Sequence, residues 1–85
     1  MTPVFASPLV LFVAFPGMGL LDLTGPQTVF WCAAKRMAER GLVPYERHTV
    51  SVDGGLVVTA EGVALDTLPA AQFAGRAIDT ILVPG

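Results

Sequence analysis

Few side chains in this sequence are equipped for chemistry, and one stands apart. Asp22 is the only acid in the stretch Phe15-Pro-Gly-Met-Gly-Leu-Leu-Asp-Leu-Thr-Gly-Pro-Gln-Thr-Val-Phe30. A carboxylate flanked by Leu20, Leu21 and Leu23 is expected to be partly desolvated. That favours its protonated form and makes it a candidate acid or hydrogen-bond partner for a ligand. The competing roles are capping the helix that follows and simply facing water. Cys32 is the single cysteine. It falls past the first turn of that helix and is expected to pack inertly beside the apolar stripe, because a reactive thiol wants a helix N-terminus or a cationic neighbour. His48 lies between Arg47 and Thr49 with no second histidine in the chain, so an exposed strand position is expected and a metal site is not. Pro16-Gly-Met-Gly19 lacks the spacing of a phosphate loop, and no cofactor is expected.

These residues need elements to hold them. Leu9–Phe15 is a continuous apolar run of strand length, ended by Pro16-Gly17, and reads as a buried central strand. Thr24 is expected to cap the following helix, with Gln27 closing a capping box and Pro26 in the first turn. Val29, Phe30, Ala33, Ala34, Met37 and Ala38 then form one broad apolar face, and Gly41 stops the helix. Trp31 shares spacing with Gln27 and Lys35, off that face. It is either a partly covered surface aromatic or a contact for a second subunit.

Tyr45–Val52 reads as a second strand. Asp53-Gly54-Gly55 reads as a hairpin turn that sends Leu56–Thr59 back along it. Glu61-Gly62 makes another turn, Val63–Leu65 is a short extended piece, Leu68–Ala74 one or two helical turns, and Ile78–Val83 a last strand ending at Pro84-Gly85. Strand, helix, strand, hairpin, short helix, strand is the order of an α/β fold with mainly parallel pairing and a right-handed crossover. Its strand-to-helix corners are where such sheets place ligands.

The bulk numbers agree. Hydrophobic residues make up 53% and charged residues 14% of the 85, against about 25% charged in an ordinary domain. That is the composition of a sheet buried on both faces. The length is short for a complete doubly wound domain, so the chain reads as residues 1–85 of the first part of a larger one. A net charge of −2 without a basic run argues against nucleic acid contact by these residues. One cysteine fits a reducing compartment. No basic segment opens the chain, and Leu9–Phe15 is too short to span a membrane. A cytoplasmic location is expected.

Phe15-Pro-Gly, Leu21-Asp-Leu-Thr-Gly-Pro26 and Val29-Phe30 resemble the opening of ThiJ/PfpI domains in the class I glutamine amidotransferase-like superfamily. Gly54-Gly55, Thr59-Ala-Glu-Gly62 and Asp79-Thr-Ile-Leu-Val-Pro-Gly85 look like that family's middle and its strand before a nucleophile elbow. The resemblance implies a flavodoxin-like three-layer sandwich, here incomplete, and often a homodimer. In catalytic relatives such as isocyanide hydratases, an acid at the position of Asp22 hydrogen-bonds a cysteine nucleophile on the elbow. Cys32 does not match that position, and no nucleophile is assigned within the chain.

Other ThiJ/PfpI domains form the ligand-sensing half of AraC-type transcription regulators, followed by helix-turn-helix units. Leu21–Trp31 and Tyr45-Glu-Arg-His-Thr-Val-Ser look closer to that subgroup. Relatives that carry an acid after Gly-Pro-x differ from this chain, which has Thr28. The resemblance therefore implies a small-molecule effector, with Asp22 and Gly85 as candidate ligand residues, and DNA contacted only through a further domain; the spacing of Trp31 makes it the candidate contact of a dimer. The rival expectations are a cysteine-dependent enzyme with Asp22 as a catalytic residue, and a non-catalytic dimerisation module.

Overall fold

The computed structural model describes residues 7–85. The opening segment, read above as carrying no secretion signal, lies outside the described residues up to position 6. The elements in order are β1 (Leu9–Val13), α1 (Leu20–Glu39), β2 (Glu46–Ser51), β3 (Gly55–Val58), β4 (Ala64–Pro69), a 3-10 turn (Ala70–Phe73) and β5 (Thr80–Leu82). They form one five-stranded sheet in the order β3-β4-β2-β1-β5. β1 pairs in parallel with both β2 and β5, and β2 pairs in parallel with β4. Only β3 runs against its neighbour. The α/β class and the mainly parallel sheet follow the sequence reading.

β1 is an interior strand, between β2 and β5, and its residues are apolar on both faces, as a strand covered on two sides must be. Val10, Phe12 and Ala14 point to α1 and pack with Met18, Leu23 and Val57. Leu9 and Leu11 point the other way and pack with Val50 and Phe73. Phe30 links helix to sheet, meeting Phe12 edge-on at 5.7 Å and Tyr45 at 5.3 Å between ring centres. The second face is covered at its middle by Phe73, whose ring lies 5.0 Å from that of His48 and 5.8 Å from the Arg76 guanidinium. Leu56 and Val58 on β3, and Ile81 and Val83 at β5, remain exposed on that face.

Two expectations are corrected. The first concerns the hairpin. β3 pairs with β4, not with β2, and the tight connection is Thr59–Val63, where Thr59 N–H donates to the Val63 carbonyl at 2.9 Å. The chain at Gly54 instead passes over the end of β4. Gly54 has φ +74°, and a Cβ there would stand 2.8 Å from Pro69, so only glycine fits. β4 thereby enters between β2 and β3. It is secured by the Ser51 and Thr67 hydroxyls at 2.6 Å and by Thr67 donating to the Gly55 carbonyl at 2.6 Å. As a result β4 runs to Pro69, beyond the short extended piece expected there.

The second concerns the helix. α1 begins at Leu20, so Thr24 is not its cap and Pro26 lies inside it. Thr24 and Thr28 bend back instead, their hydroxyls donating to the carbonyls of Leu20 and Thr24. Gln27 Nε2 donates across to Thr49 Oγ1 at 2.7 Å and does not reach back to a cap. The sheet-facing stripe is narrower than expected. Leu23, Gln27, Phe30 and Ala34 face inward, while Val29 and Ala38 are exposed. Cys32 is exposed too, on the outer side, and does not pack.

Candidate functional site

The topology singles out one place. From β1 the chain crosses by α1 to β2 on one side; from β4 it crosses on the opposite face to β5 on the other side of β1. The connections on the two flanks of β1 thus lead in opposite directions. The crevice outside the carboxyl ends of β1 and β5 is the switch point where open α/β sheets take ligands.

The sequence after β1 is built to make that corner. Gly17, at φ +80°, turns the chain, and its N–H donates to the Val58 carbonyl at 2.9 Å. Met18 is buried, and its carbonyl accepts from Ala60 N–H at 2.8 Å. Gly19 caps α1 with extended backbone and no side chain of its own. The side-chain acceptor comes from the β3–β4 turn, where Glu61 Oε1 receives the Leu20 N–H at 3.0 Å. A carboxylate there also suits the positive end of the helix. The helix start is therefore held by a residue 41 positions away, which local capping rules cannot reveal.

Asp22 occupies the first turn of α1. It is exposed, which corrects the expectation of a desolvated carboxylate. Its apolar neighbours in sequence diverge around the helix, so only Leu23 goes into the core while Leu21 also faces outward. Asp22 makes no side-chain hydrogen bond among the described residues, and its Oδ2 lies over Gly19, 3.0 Å from where a Cβ would be. Pro26, one turn on, lacks the N–H that would bond the Asp22 carbonyl. The Asp22 carbonyl thus lacks the i+4 donor that a helix residue's usually has.

Asp22, Leu23 and Pro26 from α1, Phe12 from β1, and Leu82, Val83 and Pro84 from the end of β5 line one cavity of about 50 Å³. It is large enough for a water or the terminal group of a ligand. The structure therefore brings Asp22 together with the Val83-Pro84 block. Gly85 is exposed beyond the buried Pro84 and does not line this cavity.

The other candidates lie elsewhere. Trp31 is half exposed, at 50%, on the flank of α1, with Lys35 Nζ 5.6 Å from its ring centre. His48 lies on the second face and is partly covered, not exposed as expected, because the 3-10 turn brings Phe73 onto it. Its Nε2 is 2.8 Å from Glu46 Oε2, so that nitrogen carries the proton, since a carboxylate only accepts. Arg76 grips the same carboxylate with both terminal nitrogens, at 2.9 and 2.8 Å. The Arg76 hydrogen bonds first, then the one from His48, hold the Glu46 carboxyl down at about 2. This cluster ties the β4–β5 crossover to β2 and belongs to the scaffold.

Sequence reasoning missed two features. Glu61 read only as a turn residue, and Gln27, Arg47 and Thr49 read as parts of separate elements. The parallel pairing of β2 beside β1 sets the latter three along one groove under α1. No family model matches the chain, and no significant match is found among curated proteins.

Proposed function

We propose that the chain is part of a flavodoxin-like, ThiJ/PfpI-like domain that senses a small molecule for an AraC-type transcription regulator. The observation that carries this reading is the shared cavity of Asp22 and Pro84. The two blocks that carry the resemblance, Leu21-Asp-Leu-Thr-Gly-Pro26 and Asp79–Gly85, meet there at the switch point of the sheet. The exposed apolar residues at both flanks of the second face are what a third layer would cover. In this reading the effector enters from outside the strand ends, and Asp22 anchors it by accepting a hydrogen bond. DNA is read by helix-turn-helix units outside these residues.

The rival is a cysteine-dependent enzyme. The same unengaged carboxylate favours it, since Asp22 would orient a thiol arriving at the end of β5. Cys32 cannot be that thiol, because it lies outside the cavity, on the exposed face of α1.

The intact gene product distinguishes the two. For the regulator, it retards the DNA upstream of its own gene in a mobility-shift assay. Asp22→Asn then keeps DNA binding and loses the transcriptional response to effector. A protein that ignores this DNA and turns over isocyanides, with loss of turnover in Asp22→Asn, would replace the regulator by the enzyme.

A further inference from the structure

A second, larger cavity shares only Phe12 with the switch-point cavity. It runs between α1 and β2 and measures about 450 Å³, within the range of small-molecule sites, about 300–1,000 Å³. Its character differs from that of the opposite sheet face. There Leu56, Val58, Ile81 and Val83 stand uncovered at the flanks, beside the polar Asp66. Here the walls are Thr24, Gln27, Thr28 and Trp31 of α1, and the floor is Arg47 and Thr49 of β2. A packing helix would bury those polar groups at a cost; a polar ligand would use them.

The hydrogen bonds already made state what the groove still offers. Thr24 and Thr28 spend their protons on helix carbonyls, so their oxygens can only accept. Thr49 Oγ1 accepts from Gln27 Nε2, which leaves the Thr49 proton and the second Gln27 N–H to donate and the Gln27 Oε1 to accept. Arg47 is exposed and pairs with no carboxylate among the described residues. Trp31 and Arg47 also line a smaller adjoining cavity of about 210 Å³, which Lys35 lines as well. Trp31 lines the larger groove and Lys35 does not.

An unpaired cation, two free donors, three acceptors and an aromatic wall define a complementary ligand. It is planar, carries one anionic group for the guanidinium, and carries a hydroxyl or amino group that donates to the threonines or Gln27. We infer that this groove is a binding site for a hydroxy- or amino-substituted aromatic carboxylate, distinct from the switch-point cavity.

The test uses the full chain and 4-hydroxybenzoate as the probe. Trp31 is the only tryptophan, so its emission and its indole N–H resonance report the groove directly. The probe is expected to shift both saturably. Cyclohexanecarboxylate lacks the ring and 4-hydroxybenzamide lacks the charge; each is expected to bind at least about tenfold more weakly. Arg47→Gln should weaken the probe about tenfold. Thr49→Val should weaken it several-fold and Thr49→Ser should restore it, with amide spectra showing each variant folded. The inference is overturned if the Trp31 signals do not saturate, if 4-hydroxybenzamide binds as well as the acid, or if Arg47→Gln binds unchanged. It is equally overturned if the perturbed resonances gather around Asp22, or if the Trp31 change follows a monomer–dimer equilibrium in sedimentation, which would make the tryptophan a subunit contact.

Discussion

Two carboxylates stand near the start of α1 and do different work. Glu61 is engaged, holding the Leu20 N–H; Asp22 is exposed and unengaged among the described residues. Their substitutions should therefore separate. Asp22→Asn is expected to change the unfolding free energy in urea by less than about 0.5 kcal/mol while removing the effector response proposed above. Glu61→Ala is expected to cost about 1 kcal/mol, as loss of a helix cap does, and Glu61→Gln, which keeps an acceptor oxygen, should recover most of it. Gly54→Ala is a third residue-scale case. It places a methyl 2.8 Å from Pro69 on backbone at φ +74°, and should lower stability by about 1–3 kcal/mol in the same unfolding experiment.

At the scale of elements, the segment joining β4 to β5 is fastened to β2 through Glu46, Arg76 and His48. The Glu46 carboxyl is held at about 2, below its ordinary 4.5. A carboxyl depressed by folding contributes stability that is fully present above its unfolded value and is lost as pH falls through the folded one. The melting temperature is therefore expected to fall as pH drops from 4.5 towards 2, and the fall should be shallower in Arg76→Gln. Both side chains are partly exposed, so added salt should shrink the difference between the two proteins. Helix α1 shows a different tension. Gly25 and Pro26 are poor interior helix residues, and Pro26 lines the Asp22 cavity. A local rule is broken at the candidate site, as is common at functional positions.

For the whole molecule, the asymmetry of the two sheet faces governs behaviour in solution. One face carries α1 and the polar groove. The other carries Leu56, Val58, Ile81 and Val83 in the open, beside the edges of β3 and β5, which are unpaired among the described residues. Exposed apolar flanks and unpaired edges promote association. The 85-residue chain is expected to sediment with a mass that rises with concentration. Leu56→Lys with Ile81→Lys should reduce that rise, and Trp31→Lys, on the other face, should not. No helix among the described residues is long and apolar enough to cross a membrane.

Much of this was legible in the sequence because the forces are local or periodic. The apolar run of β1 demands burial on both faces, Pro16-Gly17 must end it, and the order of periodic segments dictates a mainly parallel α/β sheet. Asp22 stood out because an isolated charge among leucines is conspicuous in one dimension, yet its exposure depended on how three neighbouring leucines fan around a helix. What only the tertiary structure decided rests on contacts between distant residues. Glu61 replaces Thr24 as the partner of the helix start because the β3–β4 turn folds over it. β4 displaces β3 from β2 because Gly54 lets the chain step across Pro69. Arg47 and Thr49 come to face Gln27 and Trp31 because parallel pairing lays β2 beside β1 beneath α1. Each depends on strand order, and strand order is set by which surfaces bury best together, a property of the assembled chain that no local window contains.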